Sequence, residues 1–436
     1  MKLLLSLPDA VEKIIVGYSG GLDSHCLLHY LAQHDEYKDN VTAVYVNHHL
    51  SSNADAWQQH CEQICQHEQI PFNAYSVNID HDKGASLEAK ARDARYTVFA
   101  KLMDPKTALL TAHHQDDQAE TLLLHLLRGS GIAGLAAMPV SKPFATGYHL
   151  RPLLATPREA LLEYSQAQQL HWIDDESNQN LDYDRNYLRH EIIPRLRGRW
   201  PGVTKTFSRS TDHAAEALEI LENVAVQDYQ SCCVDCVDCL DNRLSIISLQ
   251  ALSVARQMNL LRYWLKQCGV TMPSTVHVQR IMTEVMRAKI DSNPMVQWQG
   301  GEVRRYQQQL YAVTQMPELE NSEYEWDWQA GNLALKNGLL SIERAMRFGL
   351  DRRKLPPILS IGFRQGGEVM KLYPRKHHHC VKKLFQEWVI APWQRDITPF
   401  IYAENTLIAI GHYGYNSDYV TDDVEFMLGI KLKRIF

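Results

Sequence analysis

Short apolar runs alternate with amphipathic stretches through the first half of the chain. KIIVGY, ending at Tyr18, VTAVYV at 41–46, FNAYSVNI from Phe72 and TALLTA at 107–112 have the length and β-branched content of buried strands. Between them lie LLHYLAQH, NADAWQQHCEQICQHEQ and SLEAKARDARYTVFAKLM, which read as helices. Alternation of this kind predicts an α/β fold with a doubly wound parallel sheet, whose ligands sit outside the carboxyl ends of the strands. From about residue 215 the pattern changes to long helical runs, AAEALEILENVAVQDYQ, LSVARQMNLLRYWLKQCG and VHVQRIMTEVMRAK, followed by a short hairpin in EVRRYQQQLYAVT. We therefore expect three domains: 1–214 around the parallel sheet, a helical domain at 215–335, and a small α+β domain at 336–436. No internal repeat or low-complexity segment interrupts them.

Composition narrows the class. The chain has 436 residues, 22% charged and 45% hydrophobic, which is ordinary for a globular protein and excludes a disordered or fibrous one. A net charge of −6 argues against a uniformly basic nucleic-acid coat while allowing a local basic face. Pro8 and Asp9 cut short the apolar start MKLLLSL, and no apolar span is long enough for a membrane helix, so a cytoplasmic protein is expected. Nine cysteines, an odd number in so long a chain, do not form the pattern of a secreted disulfide framework.

The first strand runs into YSGGLDSH. Backbone N–H groups at a helix start lack partners and attract anions, and Gly20 and Gly21 leave room for a phosphate to approach them. Ser19 and Ser24 add hydroxyls. Asp23 would repel phosphate unless a cation lay between them, so its presence points to magnesium with a nucleotide. A plain βα turn with a Ser or Asp cap explains an arbitrary SGG equally well, but the full S-G-G-x-D-S string is far rarer. In this loop neither G-x-x-x-x-G-K-[ST] nor G-x-G-x-x-G is formed, because no Lys follows the glycines at the required offset and Gly20 and Gly21 are adjacent.

A second polar cluster follows the TALLTA strand, in HHQDDQAETLLLHLLRGSG at 113–131. On a helix Asp116 and Glu120 share one row, and Asp117 and Thr121 another, while the leucines face the sheet. Such carboxylates orient a magnesium ion or an ammonium group; alternatively they only complement the helix dipole. HEXXH is absent, and His114 with Asp116 lacks helical metal-ligand spacing.

Two other stretches carry candidate chemistry. CCVDCVDC at 232–239 places Cys233, Cys236 and Cys239 three apart beside Cys232, a spacing open either to a metal or to a variable linker. Between 361 and 395 seven Lys or Arg face two Glu around His377, His378 and His379. Arg364, Arg375, Lys382 and Lys383 are the candidate phosphate contacts there, and Arg304 and Arg305, flanked by aromatics, are candidates for RNA.

The loop residues Ser19, Gly20, Gly21, Leu22, Asp23 and Ser24 resemble the SGGxDS signature of the N-type ATP pyrophosphatases, which split ATP to AMP and pyrophosphate while adenylating a carbonyl oxygen. His114, Asp116, Asp117, Gln118, Glu120 and Thr121, then RGSGIAGLAAM, RPLL from Arg151 and WIDDESNQNLDYDRNYLRHEIIP from Trp172, are similar to the tRNA(Ile)-lysidine synthetases. KKLFQEW and APWQRD extend the likeness nearly to the end of the chain. One departure stands at His49, where that family usually has glycine; it predicts a different backbone for the loop and weakens any role for His48.

The resemblance implies ATP and Mg2+ bound by the 19–24 loop, with Asp23 at the metal. It implies that O2 of the wobble cytidine in a tRNA(Ile) with a CAU anticodon attacks the α-phosphate, and that the ε-amine of free L-lysine then attacks C2. Asp117 or Glu120 would assist as proton acceptor, and His114, Asp116, Arg151, Arg185 and Arg189 would hold substrate. Pro194 is expected to interrupt the helix after Arg189. A homodimer is compatible with this reading. The rivals are a tRNA cytidine 2-thiolase, supported by the cysteines alone, an ATP-dependent amide or NAD synthetase, and a tRNA-binding protein whose loop has lost its chemistry.

Overall fold

The computed structural model describes residues 5–79, 87–234, 243–289, 292–313, 323–345 and 347–434, and forms two compact units, Met1–Leu221 and Glu222–Phe436. The division falls within one helix, Val203–Cys232.

In the first unit the predicted strands and helices form as β1 Lys13–Gly17, α1 Leu22–Ala32, β2 Val41–Asn47, α2 Ala54–Glu68, β3 Phe72–Ser76, α3 Leu87–Leu102, β4 Thr107–Leu110 and α4 Gln115–Leu127. The hairpin β5 Ser141–Phe144 and β6 Gly147–Leu150, then α5 Arg158–Ala167, complete it. The sheet order is β3-β2-β1-β4-β6-β5, with every neighbouring pair parallel except β5 and β6. Strand order therefore reverses between β1 and β4. Chains leaving these two strands diverge and open a crevice at their carboxyl ends.

Alternation along β1 explains why the sheet is covered on both faces. Ile14 and Val16 pack with Leu27, Leu28 and Leu31 of α1, Cys61 and Cys65 of α2 and Leu161 of α5. Ile15 packs on the other side with Val44, Val46, Leu109 and Phe99 of α3. Residues buried on both faces form the near-continuous apolar runs seen in the sequence.

In the second unit, Leu260, Leu261, Trp264 and Leu265 of helix Val254–Gln267 pack with Val278, Ile281 and Val285, and with Val303 and Leu310 of an antiparallel hairpin, Gly301–Tyr306 and Gln309–Val313. Trp393 reaches this hairpin from the segment APWQRD, its ring centroid 5.4 Å from Tyr311 and 6.2 Å from Tyr306. The C-terminal region adds two five-stranded antiparallel sheets and short helices, including Val381–Glu387. No helix among the described residues is long and apolar enough to cross a membrane.

The loop after β2 bears on the expectation at His49. His49 has φ 52°, in the left-handed region that glycine adopts without strain, so the backbone there is the one a glycine would take. Its N–H donates to Asn47 Oδ1 at 2.9 Å, which helps hold the turn. His49→Gly should relieve this strain, and thermal or denaturant unfolding should show stability unchanged or raised by up to about 1 kcal/mol. A loss of stability would mean that the side chain contributes more than the backbone costs.

Candidate functional site

Ser19–Ser24 joins β1 to α1 at the carboxyl edge of the sheet. Gly20 has φ 78°, and a Cβ there would lie 2.5 Å from Ile173 Cδ1 and 2.7 Å from Cys61 Sγ. Both constraints require glycine. The Gly20 carbonyl accepts from Ile173 N–H at 2.9 Å, so the WIDD segment lies against the loop. Ser24 Oγ approaches Ser19 Oγ to 3.1 Å, and Gly21 caps α1 without any side-chain bond. The first-turn amides thus retain their capacity for an anion.

His114 joins this loop to the second motif. It caps α4: Asp116 N–H donates to its Nδ1 at 3.2 Å, while Asp117 Oδ2 accepts from its backbone N–H at 2.9 Å. Such a reciprocal cap satisfies two helix-end donors and requires Nδ1 to be an acceptor. The imidazole proton then sits on Nε2, which lies 3.5 Å from Asp23 Oδ2 and 3.5 Å from Asp117 Oδ2. Burial alone would push this ring down, but Asp117, Asp23 and Asp116 outweigh it and raise its pKa. A second proton, at Nδ1, would cost the cap its acceptor.

The two acidic rows expected on α4 form differently. Asp117 and Glu120 converge on the same pair of arginines. Arg185 donates to Glu120 Oε2 at 2.7 Å and Asp117 Oδ1 at 2.9 Å; Arg189 donates to Glu120 Oε1 at 2.7 Å and Asp117 Oδ1 at 3.2 Å. Glu120 is fully buried, whereas the two arginine side chains remain 23% and 30% exposed, so the quartet has one accessible side. Asp116 turns instead to Arg197 at 2.6 Å, which also holds Glu159 at 3.1 Å. Thr121 donates to the Asp117 carbonyl within the helix, and Gln118 exchanges hydrogen bonds with the Met138 backbone, fixing the loop that follows RGSG.

Arg197 was missed in the sequence, although a signal existed. Arg185, Arg189 and Arg197 are spaced by four and eight residues, one face of a helical path. That path is Asp184–Tyr187, a π turn Leu188–Ile192, and Ile193–Arg199. Pro194 falls in the first turn of the last segment, directly after the π turn, and the helical path continues past it.

Other expected contacts fare differently. Arg151, 3% exposed, donates to the Pro139 carbonyl and to His149 Nδ1; it lies beneath the site and does not face a substrate. Arg305, 4% exposed, donates to the carbonyls of Met286, Ala288 and Gln307, which makes it an internal strut unavailable to RNA. Arg304 lies over the Trp393 ring at 5.2 Å and bonds Glu302. Arg364 and Arg375 pair with Asp396 and Glu387, whereas Lys382 and Lys383 are exposed on their helix without a recorded ion pair. Cys232 is buried and Cys233 lies 3.4 Å from the Tyr229 hydroxyl; Cys236 and Cys239 lie outside the described residues. Among the described residues no group of His, Cys, Asp and Glu is arranged to hold a metal by itself.

The quartet has a pH signature. Burial would push Asp117 up, but His114, Arg185 and the other groups around it hold its carboxyl well below the ordinary carboxylate range. A carboxyl depressed in the folded state contributes stability that is complete above about pH 4 and drains as the pH falls toward its folded value. Acid unfolding of the native chain should therefore steepen below about pH 4. Asp117→Asn should be less stable by about 2 kcal/mol at pH 7, because two half-buried guanidinium groups lose a counter-charge, and its acid profile should be flatter over that window.

Comparison with known proteins agrees with this geometry. Residues 2–196 match the PP-loop domain, 244–311 the TilS substrate binding domain and 359–429 the TilS substrate C-terminal domain. The tRNA(Ile)-lysidine synthase of Coxiella burnetii is 39% identical over 91% of this chain and 88% of its own. That of Legionella pneumophila strain Lens is 40% identical over 94% and 93%, and that of Proteus mirabilis 40% over 91% and 90%. The solved U34-tRNA thiolase NcsA from Methanococcus maripaludis shares 17% identity over 48% of this chain and 74% of its own, with a TM-score of 0.41, too slight a likeness to carry an argument. With about two fifths of its residues shared across some nine tenths of these relatives, the chain belongs to the tRNA(Ile)-lysidine synthase family.

Proposed function

We propose that this chain couples ATP cleavage to the ligation of free lysine onto C2 of the wobble cytidine of a tRNA(Ile) with a CAU anticodon, forming lysidine. The observation that carries the reading is the approach of Asp23 and Asp117 to one imidazole, His114, which brings the SGGLDS loop and the α4 acids to one place at the sheet edge.

The steps follow from the residues. ATP is a substrate whose phosphates lie on the Ser19–Ser24 amides and hydroxyls. Cytidine O2 attacks the α-phosphorus and pyrophosphate leaves with the electrons of the broken P–O bond. The neutral ε-amine of lysine then attacks C2, the C2–O bond breaks with its electrons leaving on AMP, and the phosphate of AMP takes the proton that the amine sheds. Magnesium fits this site: Asp23 Oδ1 and Asp116 Oδ1 are buried oxygens without a hydrogen-bond partner, and hard carboxylate oxygens suit that ion. Asp23 and Asp116 would hold it, and it would neutralise phosphate charge.

Asp117 is a poor proton acceptor, because the groups around it keep its carboxylate ionised. Its place with Glu120, Arg185 and Arg189 fits a different task. Two guanidinium groups and two carboxylates, open on one side, match both ends of a free amino acid: the arginines meet its carboxylate and the acids its ammonium. Lys382 and Lys383, solvent-facing and unpaired, would contact tRNA phosphates.

Radiolabelled lysine, ATP, magnesium and an unmodified tRNA(Ile) transcript should yield labelled tRNA with the native chain and none with Asp23→Ala. ATP splitting that depends on tRNA but leaves no label would end the lysine reading. Lys382→Ala with Lys383→Ala should lower the slope of log affinity against log salt by roughly 1.5, with ATP splitting at saturating tRNA unchanged. An unaltered slope would remove both lysines from the RNA contact.

A further inference from the structure

Behind α4 runs a chain of buried hydrogen bonds that the steps above do not use. Arg151 Nη2 lies 3.2 Å from His149 Nδ1, His149 Nε2 lies 2.8 Å from Thr111 Oγ1, and Thr111 Oγ1 lies 2.8 Å from His113 Nδ1. His149 is fully buried, Thr111 is 8% exposed and Arg151 3%. An arginine only donates, so its end sets the direction of the first two bonds. His149 Nδ1 must accept, which leaves the His149 proton on Nε2, donated to Thr111. The threonine hydroxyl, with no other side-chain bond seen among the described residues, then donates to His113 Nδ1. The proton of His113 is thereby placed on Nε2, and no group among the described residues accepts it.

Both rings are held neutral. Burial lowers His113 to about 3, assisted by Arg185, Arg151 and Arg92 against the opposing Asp117. Burial and the Arg151 charge lower His149 to about 2. His113 lies three residues beyond the carboxyl end of β4 and directly precedes the cap residue His114, whose Nε2 lies 3.5 Å from Asp23 in the loop. A neutral imidazole presenting Nε2–H at a site for phosphates is a donor that need not lose its proton.

We propose that His113 is a catalytic residue of the reaction, donating its Nε2–H to a non-bridging oxygen of the α-phosphate, and that Arg151, His149 and Thr111 are positioning residues that set its tautomer. The inference rests on the function proposed above. The donor serves both steps: it steadies charge at the α-phosphorus while pyrophosphate leaves, and on the phosphate of AMP as the C2–O bond breaks. It also gives Arg151 a role without substrate contact, which its burial requires.

The test combines kinetics with 15N spectroscopy of the histidine rings in the full chain. His113→Phe should lower kcat for lysine transfer by about 10²–10³, with KM for tRNA little changed. His113→Gln, whose amide N–H occupies the position of Nε2–H, should recover at least tenfold of that loss. In the native chain the His113 ring should show the Nε2–H tautomer. Thr111→Val should convert it to a mixture and lower kcat about tenfold, and Thr111→Ser should restore both. A native His113 carrying its proton on Nδ1 overturns the inference, and so does a His113→Phe variant within threefold of the native kcat. If His113→Phe does not fold, the tautomer and the His113→Gln rate decide. Failure of the native chain to incorporate lysine would count against the proposed function, whereas the tautomer result stands without it.

Discussion

Three carboxylates in the first turns of one helix, buried at the edge of a parallel sheet, are the constraint to which the rest of the site conforms. Helix α4 carries Asp116, Asp117 and Glu120 where its own dipole favours negative charge, but the dipole stabilises each by well under the cost of burying it. Cations must come from elsewhere. They arrive from Arg185, Arg189 and Arg197, so the stretch 184–199 is held against α4 by charge. The preceding WIDD segment is held to the Gly20 carbonyl by its backbone. The loop, the helix start and the arginine segment thus become one body within the first unit.

A satisfied cluster of this kind stabilises less than it specifies. Each charge offsets the desolvation of its partner, and replacement of the whole set by apolar residues could leave stability unchanged. What such residues could not do is leave polar oxygens unpaired at chosen points. Asp23 Oδ1 and Asp116 Oδ1 are those points, buried and without a partner, on either side of the His114 ring that touches both residues. Unsatisfied buried oxygens carry a cost that a bound ion would remove, and that cost lies beside the loop proposed to hold the nucleotide.

Much of this was legible in the sequence because the signals were local. The strands declared themselves by apolar runs, and SGGLDS by a spacing whose first glycine, Gly20, answers to a positive φ and a close approach. What escaped was tertiary. Arg305 and Arg364 look alike in a string of letters, yet one is sealed among backbone carbonyls and the other lies half-open near Asp396. The identity of a residue gives its charge; only the packing around it decides whether that charge serves the core or a ligand. His49 runs the opposite way, since a residue other than glycine stands where the backbone takes the left-handed φ that glycine adopts without strain.

Arg151 shows how a residue can matter to a site without facing it. A motif containing arginine at the end of a strand invites a substrate contact, and burial rules that contact out. Yet a guanidinium, which cannot accept a hydrogen bond, is well suited to begin a chain of bonds and impose one direction on it. A lysine would carry the same charge, but its pKa yields to burial, and a neutral amine can accept. In an interior where both neighbouring rings are neutral, the permanence of the arginine charge keeps each histidine in a single tautomer. The protein thereby exposes one defined N–H at the end of a strand from a positive charge it keeps out of reach.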